Sequence, residues 1–305
     1  MSTTSEFADL VRASMRGASL VFEGTYGLKL SRLPEWTYQQ HAHAPIVSKM
    51  VERLSGTHLN LITSANLLSV RYRSIRDANL ADGYLAGPST IAVTAAGFEQ
   101  SISHCEDADG PLGVWPVAAA RELGLEIYNL GMGGCANLEQ FSARTIRDIP
   151  ADLISLKLGI NVVNTANHTS RTFGPAVHGF IDTIREGQPT TPILVISPVC
   201  CPAHENNPGP SETTPEGMVK GQEFSRHFWI GELTLCGIRE ILRELVALRA
   251  NSDPNIFYLD GLRLFGHADA PTMPDGIHPD AAGYRVIAKN FVAEHPREWI
   301  AALRS

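Results

Sequence analysis

No apolar run in this 305-residue chain is long enough to cross a bilayer. The stretch from Met1 to Ala18 is polar, broken by charge, and lacks the apolar centre of a secretion signal. A chain without a membrane partner, resident in the cytoplasm, is the expectation. Cysteine is sparse and wrongly spaced for a covalent or metal framework. Cys105, Cys135, Cys200, Cys201 and Cys236 make five, an odd set with no C-x-x-C pair, so free thiols are expected rather than disulfides or zinc. Basic clusters are missing as well. The 25 Lys and Arg residues are scattered and outnumbered by 32 Asp and Glu, which argues against nucleic acid as a partner. Repeats and low-complexity tracts are also lacking, and 44% of the residues are hydrophobic. What remains is a mildly acidic globular chain with enough length for one large domain, or one domain and a smaller companion.

Residues 1–88 read differently from the rest. Ser19–Glu23, Leu59–Ile62 and Leu68–Tyr72 are short and strand-like, separated by Gly, Asn and Ser, which suggests a small antiparallel β-rich domain. Within it, Pro34 forces an extended or turning chain, and Trp36 is read as a hydrophobic plug over a sheet end. His41-Ala42-His43 has the alternation that puts two side chains on one face of a strand, but no third ligand lies nearby in sequence and no metal is expected.

From residue 89 to 305 the pattern alternates between compact apolar runs and amphipathic stretches. Strands are predicted at Ile91–Ala95, Leu125–Leu130, Leu153–Leu158, Ile193–Ser197 and Ile256–Leu259. Helices are predicted at Trp115–Leu123, Ala176–Arg185, Thr234–Ala250 and Ala281–Val292. The third of these is the clearest. Ile238, Ile241, Leu242, Leu245 and Leu248 recur on one face, and Arg239, Glu240, Arg243 and Glu244 fill the other. Such alternation implies an α/β fold, a parallel sheet sandwiched by helices, with ligands collecting beyond the carboxyl ends of the strands.

The loops at those ends hold a consistent inventory. Gly97–Cys105 contains Ser101, Asn129–Gly134 is glycine-rich, Gly159-Ile160-Asn161 carries an amide, and Asp275-Gly276-Ile277-His278 sets a carboxylate three residues ahead of an imidazole. A carboxylate so placed fixes the tautomer of its histidine. Acyl transfer uses this set: a hydroxyl nucleophile, a base with an orienting carboxylate, and donors aimed at a developing oxyanion.

In their order, Ser101, Gly134, Asn161 and His278 resemble the blocks of the SGNH (GDSL) hydrolase superfamily, and the Asp275–His278 block is a close match. Arg32-Leu33-Pro34-Glu35-Trp36, Ile196-Ser197-Pro198 and Tyr258-Leu259-Asp260-Gly261 are similar to a two-domain branch of it, which includes esterases and polyketide-tailoring acyltransferases. The resemblance implies a three-layer flavodoxin-like domain over 89–305, preceded by a smaller β-sandwich of jelly-roll character over 1–88. It implies Ser101 as nucleophile, His278 as general base and acid, and Asp275 as the group orienting His278. The backbone N–H groups of Ser101 and Gly134 and the Asn161 amide would form the oxyanion hole. At Gly134 the missing side chain is expected to allow close backbone approach.

The chain departs from the family at the first block. Glu99-Gln100-Ser101 stands where Gly-Asp-Ser or Gly-Ser-Ser is usual, which makes Glu99 and Gln100 candidate substrate-binding or modulating residues. A Glu99 charge facing the site would oppose an oxyanion. Unit charges about 4 Å apart interact by roughly 4 kcal/mol at an effective dielectric of about 20.

Competing patterns are weaker. Gly131-x-Gly133-x-x-Ala136 with Asp152 downstream fits a loose dinucleotide fingerprint. Ser103 is an alternative nucleophile, His104-Cys105 an adjacent pair unsuited to mutual contact, and Cys200-Cys201 the end of a strand. The leading reading is a serine-dependent acyl-enzyme catalyst, an esterase or acyltransferase of secondary metabolism acting on a small ester or acyl donor without cofactor. Two alternatives are a repurposed enzyme of natural-product biosynthesis using Glu99 and Gln100 for non-hydrolytic chemistry, and a non-catalytic carbohydrate- or ligand-binding protein. Nothing in the sequence sets an oligomeric state.

Overall fold

The computed structural model describes residues 19–23, 31, 33–52, 58–62, 108, 113–125, 127–222 and 231–301. By its internal contacts the chain forms two compact units, Met1–Met132 and Gly133–Ser305.

In the first unit, β1 (Ser19–Glu23) is followed by a 3-10 turn at Glu35–Gln39 and by α1 (Pro45–Glu52) before β2 (His58–Ile62). The two strands pair antiparallel, Ser19 opposite Ile62 and Glu23 opposite His58, as their patterns predict. Among the described residues between them, Glu35–Gln39 and Pro45–Glu52 are helical, which the β-rich expectation did not include. His41 and His43 lie in a turn ahead of α1 rather than on a strand. His41 is buried and receives or gives a hydrogen bond at Ser48 Oγ (2.9 Å), while His43 is exposed, so the two do not share a face. Trp36 is 38% exposed and does not form the expected plug. The candidate strand at Leu68–Tyr72 lies outside the described residues. α2 (Trp115–Leu123) has the predicted bounds and ends at Gly124, whose φ of 69° suits glycine. Leu125 and residues 127–130 join no strand ladder. A strand exists only through its neighbour's hydrogen bonds, and the apolar run expected beside this one, Ile91–Ala95, is outside the described residues.

The second unit carries the α/β core. In chain order it holds α3 (Gln140–Asp148), β3 (Ile154–Lys157), α4 (Ile160–Asn164), α5 (Ser170–Gly187) and β4 (Ile193–Ile196). The hairpin strands β5 (Glu212–Thr213) and β6 (Val219–Lys220) follow, then α6 (Leu235–Arg249), β7 (Ile256–Leu259), α7 (Ala281–Glu294) and α8 (Arg297–Ala301). β3, β4 and β7 form a three-stranded sheet in that order, both pairings parallel, with Ile154 opposite Ile193 and Ile193 opposite Ile256. Parallel strands need crossover connections, and α5 and α6 supply them.

All four residues of β4 are buried, the pattern of a strand covered on both faces. Ile193 and Val195 join Phe173, Val177, Ile181 and Ile184 of α5 and Ile238, Leu242 and Val246 of α6 in one apolar cluster, while Leu194 and Ile196 are fully buried as well. α5 is longer than the predicted Ala176–Arg185 and carries Pro175 inside it. The helix starts at Ser170, where the Thr172 hydroxyl accepts the Thr169 N–H at 3.0 Å and closes a cap one and a half turns earlier. α6 is capped by Thr234, whose side chain accepts from the Gly237 N–H at 3.2 Å.

Candidate active site

The Asp275–His278 loop is built around one carboxylate. Asp275 Oδ1 accepts the backbone N–H groups of Ile277 (3.0 Å) and His278 (2.8 Å), and Oδ2 lies 2.6 Å from His278 Nδ1. The turn brings the histidine back over its own aspartate within four residues. Gly276 makes that turn at φ +84°, a conformation costly for any residue with a side chain. Ile277 anchors the loop in the apolar cluster, and Cys201 Sγ meets the Gly276 carbonyl at 3.6 Å. Beyond it, Asp280 caps α7 by accepting the Gly283 N–H at 2.9 Å.

The burial of the pair is asymmetric in a useful way. The Asp275 side chain is 6% exposed and that of His278 43% exposed. Facing a carboxylate, Nδ1 carries the proton, so Nε2 is the basic ring position. A carboxylate shielded from water, holding an imidazole that reaches solvent, is the arrangement a general base needs.

Asn161 lies at the start of α4, just past the carboxyl end of β3. Its Oδ1 accepts the Ala136 N–H at 3.0 Å. Only the amide oxygen can take that bond, so the NH2 end is fixed as the outward donor. The bond also ties the second and third sequence blocks together, since Ala136 lies two residues past Gly134. Gly134 has φ +67°, and a Cβ built there meets nothing within 4 Å. The left-handed φ suits glycine on its own account, beside the close backbone approach expected of Gly134. Ser101, Glu99, Gln100, Ser103, His104 and Cys105 lie outside the described residues.

Two networks stiffen the strand ends behind these loops. Ser197 Oγ accepts from Tyr258 Oη (3.1 Å) and from the Gly261 N–H (3.0 Å), which joins the segments after β4 and β7. Burial pushes the Tyr258 hydroxyl above its ordinary range. Arg239 of α6 grips Glu205 through both oxygens (2.7 and 2.8 Å) and donates to the Pro198 and Val199 carbonyls (2.9 and 3.1 Å). Burial alone would raise the Glu205 carboxyl, but the Arg239 hydrogen bonds outweigh it and hold Glu205 below the usual range.

Other motifs are placed as follows. The glycine turn at 133–135 does not open a helix, because α3 begins only at Gln140. Glu139 precedes it, its carboxylate held by the Asn137 N–H at 2.9 Å and its pKa raised by burial. A pyrophosphate site needs a free helix start at the glycines, so the dinucleotide reading is not met. Cys200 and Cys201 are buried beyond β4, and burial pushes their thiols up to about 11 and about 12, out of the nucleophilic range. Among the described residues, no group of His, Cys, Asp or Glu has the geometry to hold a metal, and no helix is long and apolar enough to cross a membrane.

A parallel sheet with an Asp–His loop and an oriented asparagine at its carboxyl ends defines an α/β protein of the hydrolase type. The profile of the GDSL-like lipase/acylhydrolase family matches residues 93–286, and the chain belongs to that family. Among solved structures it is similar to a salicylyl-acyltransferase from a tetracycline biosynthetic pathway, with 30% identity, a TM-score of 0.51, and coverage of 67% of this chain and 52% of that one. It is also similar to a protein described as a GDSL-like lipase from Bacteroides ovatus, with 22% identity, a TM-score of 0.45 and coverage of 65% and 49%. A carbohydrate esterase of family 3 from Talaromyces cellulolyticus follows with 15% identity, a TM-score of 0.41 and coverage of 59% and 74%. The chain thus matches about half the length of the first two. No curated protein sequence matches it.

Proposed function

We propose that the protein is a serine-dependent acyl-enzyme catalyst that cleaves or transfers the acyl group of a small ester. The observation that carries this reading is the Asp275–His278 pair, 2.6 Å apart, with the carboxylate buried and the ring reaching solvent. In the mechanism, His278 Nε2 removes the Ser101 hydroxyl proton as Ser101 Oγ attacks the ester carbonyl, and Asp275 stabilises the imidazolium that forms. The oxyanion is met by the N–H groups of Ser101 and Gly134 and by the Asn161 amide. As the tetrahedral species collapses, His278 returns the proton to the leaving alkoxide and the acyl group stays on Ser101. Water or an acceptor alcohol or amine then takes the acyl group by the same steps in reverse.

The similarity to an acyltransferase at 30% identity supports transfer to a second small molecule in secondary metabolism as one outcome of this chemistry. Transfer and hydrolysis use the same residues and differ in how water is excluded and an acceptor held. A fluorophosphonate probe is expected to label the protein at Ser101. Labelling that persists in Ser101→Ala ends the proposal.

The altered first block favours a second reading, in which Glu99 and Gln100 direct non-hydrolytic chemistry on a bound natural product. Turnover retained in Ser101→Ala and lost in Glu99→Gln supports that reading, and the opposite pattern removes it.

A further inference from the structure

The chain between β4 and α6 makes an excursion that returns to the Asp275–His278 loop. Its hairpin, β5 and β6, pairs Glu212 with Lys220 and Thr213 with Val219. The turn is closed by the Thr214 N–H donating to the Met218 carbonyl (2.8 Å) and the Gly217 N–H donating to the Thr214 carbonyl (2.9 Å). The base of the hairpin is pinned at several points. His204 Nε2 meets Ser211 Oγ at 2.7 Å, the Ser211 N–H donates to the Asn164 carbonyl (2.9 Å), and the Gly221 N–H donates to the Ala203 carbonyl (3.1 Å). Its second strand is hydrogen-bonded to the loop itself, the Val219 N–H donating to the Asp275 carbonyl at 2.8 Å.

This anchoring leaves one large apolar side chain outside. Met218 is 42% exposed, next to Val219, which packs against the apolar cluster. Single exposed apolar residues are ordinary on a protein surface. The position of this one is informative. A Cβ added at Gly276 would come within 3.4 Å of Met218 Cε, so the methionine tip lies against the residue between Asp275 and Ile277. Consecutive Cα atoms are about 3.8 Å apart, so no more than roughly 8 Å of backbone separates Gly276 from His278. Methionine is unbranched and polarizable, suited to covering apolar groups of varied shape. Among the described residues, the hairpin is held by its backbone hydrogen bonds, by His204 and by the packing of Val219.

We infer that Met218 is a specificity-determining residue that covers the apolar substituent of the ester beside the scissile bond, so that the preferred substrates carry chains or rings rather than acetyl and methyl groups. This rests on the acyl-enzyme reading above. The substituent can belong to the acyl or to the alcohol half of the ester, and two substrate series separate them.

In the first measurement, kcat/KM is followed for p-nitrophenyl esters from acetate to octanoate and for alkyl acetates from methyl to octyl. In the unaltered protein it is expected to rise with chain length in one series. Met218→Ala is expected to lose about tenfold on the longest member while acetate turnover stays the same, and Met218→Leu to keep the preference. The series that loses its slope identifies the half that Met218 covers. An unchanged slope in both series for Met218→Ala overturns the inference. The second measurement needs no turnover. With methyl-13C methionine, the Met218 resonance, identified by its loss in Met218→Leu, is expected to shift on addition of octanoate or octanol and to stay put with acetate. A shift in a protein that turns over no ester keeps the apolar contact and removes the acyl-enzyme reading. A resonance that octanoate and octanol leave unmoved overturns the contact.

Discussion

Asp275 divides its work between two oxygens, one holding the loop's own backbone and the other the imidazole. Asn161 does something comparable with the two ends of its amide. In Asn161→Asp the oxygen toward the Ala136 N–H is retained and the donor is replaced by a second acceptor that carries charge. The variant is therefore expected to fold normally, with a thermal midpoint near that of the parent, and to lose roughly 10²- to 10³-fold in kcat. Steady-state rates beside a melting curve check both halves of that statement. The Asp275–His278 contact was legible in the sequence because three residues and a glycine suffice to close it. The Asn161–Ala136 bond was not, because its partners are 25 residues apart and one of them is a backbone group. At Gly134 the left-handed φ of +67° was not legible. A glycine in a string of letters does not say whether space or handedness demands it.

Helix α6 shows what patterning reveals well. Its Thr234 cap and its end at Arg249 agree with the spacing of the sequence, while its face differs at two positions: Leu248 is 64% exposed, and Arg239, expected on the outer side, is buried where it holds Glu205. Leu242 is fully buried in the middle of that face, against the sheet. Leu242→Ala is expected to destabilise the protein by about 2 to 5 kcal/mol, measured by denaturant unfolding, with the upper end reached if the cavity does not collapse. α5 was harder to bound because proline is both a helix starter and a helix breaker, and only the Thr169–Thr172 cap decides between them. The α3 segment, Gln-Phe-Ser-Ala-Arg-Thr-Ile-Arg-Asp, was not anticipated. Its buried residues are Phe141, Ala143 and Thr145, and a short helix with two small residues inward leaves little apolar periodicity to read.

Across the whole second unit, acid is expected to act through two buried groups. Burial lowers the His204 pKa, so the neutral ring is the native form. Its Nδ1–H donates to the Asn207 carbonyl at 3.2 Å, and Nε2 accepts from Ser211. A histidine depressed in the folded state contributes stability that is complete above its unfolded pKa of about 6.5 and is lost as pH falls through the lower folded value. Glu205 is also depressed, so its contribution is complete above the unfolded glutamate pKa of about 4.3 and disappears at more acid pH. The melting temperature is thus expected to decline in two stages on acidification. In His204→Gln the upper stage, which sets in below about pH 6.5, is expected to flatten while the lower remains; parallel curves for the two proteins count against this assignment. The α/β class and the parallel sheet were legible from the alternation of apolar runs with amphipathic stretches. The hairpin was not, since strands of two residues carry no period.

Because two amides of the Asp275–His278 tetrapeptide hold the Asp275 carboxylate, this half of the machinery is aligned from within its own loop, like a prefabricated fitting. Its geometry does not wait on the arrival of a ligand or on the identity of the residue that attacks. A lineage that exchanged its nucleophile for another chemistry would inherit the base ready aligned, and substitutions at Glu99 and Gln100 are where such an exchange would first be written.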